Sequence, residues 1–328
     1  MKLIYTLRIS VLISLLLYLA ACQKKQYEIP TLSQDLQNDC IKRSLGPNVA
    51  GQSIEFAYAI AMGRTKGKII SAQVEATIAG APSTYLENRS FYTNNIGQDV
   101  GVTIGTPSIN TGNVTKVTFT ADTNAATLRF FYVVPQAAKG QSVSFTFSAQ
   151  SSDGQTVSYK MGPYSIPKMD MVLDLPVSDG NACYISIADM AVYNASNAAL
   201  KPNNIDVVYL HRSLPTVTFG HALVAPAADP TYLPGFTLPP GVNRNTKISK
   251  VYGLRDQQLA RDRYGVFIDD IDFQQLDISG APNYAINLVP QAGVWIETAD
   301  KKYRAYIFIN TENDVTKSAV ISIKRYPL

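Results

Sequence analysis

Short runs of alternating apolar and polar residues fill the first half of the chain and constrain its fold more than any other feature. In the first run, polar or small residues alternate with Ile54, Phe56, Tyr58 and Ile60. The apolar members of later runs are Ala72, Val74, Ala76 and Ile78; Val117 and Phe119; Leu128, Phe130, Tyr132 and Val134; Val143, Phe145 and Phe147; and Val157, Tyr159 and Met161. Such alternation places successive side chains on opposite faces of a β-strand. Turn-forming clusters separate the runs, as at Asp153-Gly154, which predicts a sandwich of antiparallel strands.

The chain divides into two domains on this pattern. A length of 328 residues favours two domains at roughly 150 residues each, and the regular alternation stops near Pro163 and Pro167. We therefore predict an all-β fold, with an N-terminal immunoglobulin-like β-sandwich over residues 46–168 and a second mainly-β domain over residues 169–328. The second domain is expected to contain one or two short helices.

Three segments carry helix signals. Ser33 is a good N-cap, and three apolar residues spaced four apart around it predict a short helix over Ser33–Arg43. These apolar residues are Leu32, Leu36 and Cys40. Asn194–Leu200 and Leu254–Arg263 are the helix candidates of the second domain. Its strand candidates are Tyr184–Ile187, Ile205–His211, Val294–Thr298, Tyr303–Asn310 and Ser318–Arg325.

The amino terminus has the pattern of an export signal. Lys2 and Arg8 precede an apolar run, Ile9–Leu19, which is followed by small residues and Cys22. A basic start, a short apolar core and small residues before a cleavage point define a signal peptide, here residues 1–21. The run is shorter than the about 20 residues that span a bilayer. Residues 22–45 would form a tether that includes the short helix.

The sequence Leu19-Ala20-Ala21-Cys22 resembles the lipobox of bacterial lipoproteins. That resemblance implies cleavage before Cys22, lipidation of its sulfur and stable anchoring by two or more acyl chains. Gln23 follows the cysteine, which resembles sorting to the outer membrane. Whether the anchored domains face the cell surface or the periplasm is left open.

Three further motifs contribute to a family resemblance: Ala182–Ile187, Lys201–Asp206 and His221–Pro226. With the lipobox and the alternating strands, they resemble a family of uncharacterised two-domain lipoproteins of Gram-negative gut anaerobes. In layout the chain is similar to the accessory glycan-binding lipoproteins of starch-utilisation-type systems. The resemblance implies no functional residues, because the family has no established activity.

Catalytic and cofactor motifs are weak in this sequence. His211 and His221 stand ten apart in unlike sequence settings and are interpreted as structural residues, since no Gly-x-Ser-x-Gly elbow accompanies them. Between them begins a proline-rich stretch with little periodicity, Arg212–Lys247, and long irregular stretches are usually functional or mobile. No phosphate-binding loop is present, so we expect no catalytic residue, metal or cofactor.

Charge gives no reason to expect nucleic acid as a partner. The formal net charge falls from +4 to +2 when Lys2 and Arg8 leave with the signal peptide. One acidic run stands out, formed by Asp269, Asp270, Asp272 and Asp277. Hard oxygen ligands of this kind can hold calcium, but the spacing is not that of an EF-hand. The favoured interpretation is a solvated helix start or turn.

Two cysteines remain once Cys22 is lipidated. Cys40 and Cys183 could form a disulfide in an exported protein, or remain as free buried thiols. No cysteine lies between them, so the first domain lacks the inter-sheet disulfide of antibody domains.

The C-terminal hairpin yields the most specific prediction. A loop at residues 299–302 sets Trp295 opposite Tyr306, on the face of the hairpin away from Val294 and Ile296. That aromatic face is either covered by the Leu254–Arg263 helix or the proline-rich segment, or open for stacking on a ligand. In the open alternative, Trp295, Tyr306, Tyr232 and Phe236 are the candidate ligand-binding residues.

We therefore expect a lipid-anchored, non-enzymatic accessory binding subunit of the outer membrane, with glycan capture as the leading hypothesis. The first alternative is a structural or assembly subunit of a cell-surface protein complex. The second is a hydrolase with an unrecognised site. The expected partners are the membrane and a glycan or protein.

Overall fold

The computed structural model describes residues 33–214 and 217–328. The predicted signal peptide, Cys22 and Leu32 lie outside the described residues. Asp35–Leu328 form one compact unit, built from two β-sandwich domains. Within the described ranges no helix has the length and apolar character needed to cross a bilayer.

The first domain consists of two facing antiparallel sheets and a separate hairpin. Its strands are Gln37–Lys42 (β1), Ser53–Ala61 (β2), Ile69–Ala76 (β3), Tyr85–Leu86 (β4), Arg89–Thr93 (β5), Asp99–Thr103 (β6), Ile109–Thr111 (β7), Val114–Thr118 (β8), Ala125–Val133 (β9), Ser142–Ser151 (β10) and Thr156–Ser165 (β11). One sheet has the order β1-β2-β9-β4, the other β11-β10-β3-β8-β7, and β5 pairs with β6. A short 3-10 helix, Gln136–Ala138, joins β9 to β10.

The alternating residues form the core between these sheets, as predicted. Phe56 and Phe130 from one sheet meet Phe145 and Phe147 from the other, with ring centroids 4.9–6.0 Å apart. Edge and tilted contacts of this kind add about 0.5–1.5 kcal/mol per pair beyond the burial of apolar area.

The helix predicted over Ser33–Arg43 is wrong, because this segment contains strand β1. Cys40 pairs with Tyr58 on β2, and the Asn38 amide donates to the Tyr58 hydroxyl at 2.9 Å. Leu36 and Cys40 are both buried. Their spacing of four fits one turn of a helix and also two repeats of a strand, so the pattern could not distinguish the two.

The second domain is also a sandwich of two five-stranded sheets. Its strands are Asp170–Ser178 (β12), Tyr184–Ser186 (β13), Ala191–Tyr193 (β14), Val207–Leu214 (β15), Val217–Val224 (β16), Lys247–Val251 (β17), Tyr284–Leu288 (β18), Gly293–Glu297 (β19), Tyr303–Asn313 (β20) and Ser318–Pro327 (β21). The sheet orders are β12-β21-β20-β19-β17 and β14-β13-β15-β16-β18. The α-helices are Ala195–Leu200 (α1), Gln257–Ala260 (α2) and Asp270–Gln275 (α3). Two 3-10 helices are Pro202–Asn204 and Pro230–Tyr232.

The helices are short and well capped. Helix α1 is confirmed, and Asn194 Oδ1 accepts from the Asn197 N–H at 2.9 Å. Of the predicted Leu254–Arg263 helix only the single turn α2 forms, because Arg261 adopts a left-handed φ of 53°. Asp269, Asp270 and Asp272 of the acidic run form the start of α3, where Asp269 and Asp272 make a capping box. Asp277 lies after the helix and accepts from Ser279.

Candidate functional site

The C-terminal hairpin has the predicted register. Trp295 pairs with Tyr306, Ile296 with Ala305, and Val294 with Ile307. The inner face, with Val294 and Ile296, belongs to the core between the two sheets of the second domain.

The aromatic face of this hairpin is covered, so the open alternative is wrong. Trp295 is only 8% exposed, and its ring meets the edge of Phe273 from α3 at 5.4 Å. Leu259 from α2 belongs to the same cluster. The Tyr306 hydroxyl donates to the Leu254 carbonyl. Trp295 and Tyr306 therefore have no surface with which to stack on a ligand.

Tyr232 and Phe236 pack elsewhere. Both contact the inter-sheet core rather than the Trp295 cluster. Tyr232 stacks on Tyr284 with centroids 3.6 Å apart, and Phe236 lies 5.8 Å from Tyr184. The four aromatic residues predicted to form one site are thus divided between two separate clusters.

Cys40 and Cys183 are free and buried, so the disulfide alternative is not what the structure shows. Cys40 lies in the core of the first domain and Cys183 in that of the second. Burial raises the pKa of each thiol to about 12. A thiol of this kind is a poor nucleophile, because the thiolate is the reactive form.

The two domains are joined by a specific interface. Val49, which precedes β2, is fully buried in the Trp295 cluster of the second domain. The Gln258 amide of α2 donates to the Pro47 carbonyl at 2.9 Å. Lys139 of the first domain and Arg325 of the second both form ion pairs with Asp170. These contacts fix the relative position of the domains.

An open cleft of about 570 Å³ lies beside this interface. The first domain contributes Pro47, Gln141 and Ser142, the interdomain linker contributes Lys168, and the second domain contributes Phe267 and Asp269. Phe267 packs against Gly46, where a Cβ atom would lie 2.4 Å from the ring. Gly46 also has a φ of +76°, which favours glycine. The close approach of this backbone therefore holds the ring in the wall of the cleft.

Two acids of the cleft serve as local structural groups. The Asp270 carboxylate accepts from the Lys168 N–H at 2.7 Å and the Met169 N–H at 3.3 Å. Asp269 caps α3 and accepts from the Ile271 N–H at 2.8 Å. Both carboxylates are therefore occupied by main-chain donors.

A second polar cluster lies in the second domain, away from the cleft. Strands β15 and β16 pair so that His211 stands directly opposite His221, with ring centroids 4.6 Å apart. The turn between β20 and β21 brings Asp314 to both rings. Asp314 Oδ1 lies 3.1 Å from His211 Nε2 and 3.0 Å from His221 Nε2.

The surroundings of the two imidazoles are buried and polar. Burial is the main cause that lowers the pKa of His221, the proximity of His211 adds to it, and Asp314 opposes the shift. Burial is also the main cause that raises the pKa of the Glu312 carboxyl, and repulsion from Asp314 adds to it. The Tyr209 hydroxyl is hydrogen-bonded to His221 Nδ1, and burial raises the pKa of that hydroxyl.

Sequence reasoning missed this convergence because it missed β16. In the sequence the two histidines stand in unlike settings, whereas in the structure they form a cross-strand pair. A signal was present: Phe219, His221 and Leu223 repeat with a period of two. The proline-rich composition of Arg212–Lys247 masked this signal.

Comparison with known proteins places the chain in a family. A solved structure of a DUF4466 family protein from Parabacteroides merdae ATCC 43184 is 42% identical, with a TM-score of 0.85, over 90% of this chain and 100% of that chain. The chain belongs to the DUF4466 family. The family model, described as a domain of unknown function, matches residues 33–166, and a second domain of unknown function, DUF8576, matches residues 167–328. The two-domain β fold is thus shared with the Parabacteroides merdae member.

Two more distant structures have low sequence identity and low structural similarity to the chain. The major pilin subunit of Bacillus cereus is 7% identical, with a TM-score of 0.28, over 87% of this chain and 62% of that chain. A flagellar-like filament is 8% identical, with a TM-score of 0.18, over 49% of this chain and 96% of that chain. TM-scores this low carry no argument about assembly. The comparison with curated proteins gives no match.

Proposed function

We propose that the chain is a lipid-anchored, non-enzymatic accessory subunit of the outer membrane that captures a glycan in the cleft between its two domains. The anchor is Cys22, by the sequence pattern before it. The observation that carries the binding role is the cleft, with Phe267 in its wall.

The dimensions and position of the cleft support this role. A volume of about 570 Å³ falls within the roughly 300–1,000 Å³ of small-ligand sites, which occur preferentially between domains. Phe267 supplies a flat apolar surface for the C–H face of a sugar ring. Gln141, Ser142 and Lys168 line the same cleft, and their side chains are able to hydrogen-bond sugar hydroxyls.

The cleft is already formed before a ligand arrives. Val49 and the Lys139–Asp170–Arg325 ion pairs fix the two walls relative to one another. A preformed site loses little conformational entropy on binding.

The contacts of the two aspartates in the cleft favour binding over hydrolysis. Glycoside hydrolysis requires two carboxyl groups available to substrate or water. Asp269 and Asp270 instead hold the start of α3 and the interdomain linker.

The test measures binding of soluble plant, host and bacterial oligosaccharides to the full chain in detergent by calorimetry. We expect Phe267→Ala to weaken binding at least tenfold, because it removes the stacking surface. Gly46→Ala should weaken it too, because the added methyl must displace the ring. Tyr252→Ala is the matched control, since Tyr252 is an exposed aromatic residue that does not line the cleft.

The proposal is wrong if no oligosaccharide binds, or if Phe267→Ala binds as tightly as the unaltered chain. Turnover of an oligosaccharide that Asp269→Asn abolishes would instead support the hydrolase alternative.

A further inference from the structure

Both histidines of the sequence point at one carboxylate, a convergence that glycan capture does not use. We propose that His211, His221 and Asp314 form a binding site for a divalent transition-metal cation, with Zn²⁺ as its representative. The ligand atoms are Nε2 of each imidazole and Oδ1 of Asp314.

The spacing of these atoms suits a shared cation. Asp314 Oδ1 lies 3.0 and 3.1 Å from the two nitrogens, and the three ligand groups lie within 4.8 Å of one another. Donors bound to one tetrahedral zinc at about 2.0–2.1 Å are about 3.3 Å apart. The two nitrogens lie within 4.8 Å of one another, so binding of an ion would shift the two imidazoles as well as the exposed Asp314 side chain.

A neighbouring hydroxyl orients one of the two imidazoles. A metal-binding histidine commonly hydrogen-bonds through its other ring nitrogen, and His221 Nδ1 is held in this way by the Tyr209 hydroxyl. His211 is anchored through its main chain, whose N–H donates to Asp179 at 3.2 Å.

A candidate fourth ligand atom, an oxygen, is close by. Glu312 Oε2 lies 3.9 Å from His221 Nε2 and is buried without a hydrogen-bond partner among the described residues. Buried polar atoms normally have partners. A cation beside His221 would give this oxygen one.

The donor set selects the class of ion. Imidazole nitrogen suits zinc, copper, cobalt and nickel, whereas calcium and magnesium prefer all-oxygen sites. The ion has a route to the site, because the two imidazoles are buried but the Asp314 side chain is 78% exposed. A bound ion would also join the two sheets of the second domain, since β15 and β16 belong to one and the β20–β21 turn to the other.

The experiment titrates Zn²⁺ into the full chain, purified in detergent without a histidine tag and stripped with EDTA. Calorimetry should show one ion per chain, and saturating zinc should raise the thermal unfolding midpoint. Asp314→Ala should raise the Kd for zinc at least tenfold. This exposed substitution removes a ligand without opening a cavity, so it decides the proposal even if a histidine variant fails to fold. His221→Gln should raise the Kd for zinc by a similar factor, and Tyr209→Phe should raise it about tenfold.

The matched control is Asp122→Ala in the first domain. Asp122 is 80% exposed, and its substitution should leave the Kd for zinc within twofold of that of the unaltered chain. The absence of stoichiometric zinc binding, or an unchanged Kd in Asp314→Ala, would overturn the site. Calcium binding as tight as that of zinc would overturn the assignment to a transition metal.

Discussion

The buried ion pair between Lys324 and Asp256 gives the sharpest stability prediction. Both side chains are fully buried, and Lys324 Nζ lies 2.6 Å from Asp256 Oδ2. The ammonium also donates to the Ile268 carbonyl at 2.8 Å. Asp256 caps α2 through the Leu259 N–H and accepts from the Ile268 N–H, each at 2.8 Å. Burial lowers the pKa of Lys324, and Asp256 opposes the shift.

Replacement of Lys324 by methionine keeps the length of the side chain but removes its charge. It leaves the Asp256 carboxylate buried without a counterion and the Ile268 carbonyl without this donor. Removing one partner of such a pair costs about 3–5 kcal/mol. With a urea slope of about 2 kcal/mol/M, the unfolding midpoint of the second domain should fall by about 2 M.

The assay is urea unfolding followed by tryptophan fluorescence. Trp295 is the single tryptophan of the chain and belongs to the cluster formed by α2, α3 and β21, so its emission reports on this layer. The double variant Lys324→Met with Asp256→Asn should lose less unfolding free energy than the two single variants lose in sum.

Lys302→Met is the control, because Lys302 is 72% exposed and lies 3.9 Å from Asp300. It should change stability by no more than about 0.5 kcal/mol. A decrease of less than about 1 kcal/mol in the free energy of unfolding of Lys324→Met would refute the reasoning.

Two further predictions concern pH and the anchor. Burial raises the pKa of Asp206 from 3.8 to about 6, against the opposing effect of Arg244. The folded state therefore holds this proton more tightly than the unfolded state does, so the stabilisation is complete below pH 3.8 and is lost as the pH rises through about 6. The stability of the unaltered chain relative to Asp206→Asn should fall by about 2 kcal/mol between pH 4 and 7, as measured by urea midpoints; a constant difference would contradict this. Cys22→Ser should abolish lipidation and move the chain out of the detergent phase in a partitioning assay, and unchanged partitioning would contradict the proposed anchor.

About half of the strands in the described residues could be predicted from the sequence, because a period of two is visible where one strand face is buried. The alternation at Ile54–Ile60 and the register of Trp295 with Tyr306 follow from this rule together with the length of the loop. The start of α3 could be predicted as well, since Asp269 has the position and chemistry of a helix cap.

What covers a strand could not be predicted in the same way. Burial of Trp295 depends on Phe273, Leu259 and Val49, which come from three separate segments and meet only in the folded chain. The His211–His221 pair required the β15–β16 register, which depends on a strand hidden within a proline-rich stretch. The cleft beside Phe267 depends on how two domains dock, and no periodicity within either domain encodes that.

The most direct test of the proposed glycan capture is hydrogen–deuterium exchange of the full chain, with and without the oligosaccharide that binds most tightly. The account predicts added protection in peptides covering residues 46–47, 141–142 and 267–271, with no change around Tyr232 and Trp295. Protection confined to the Trp295 hairpin, or absent from all three cleft segments, would contradict it.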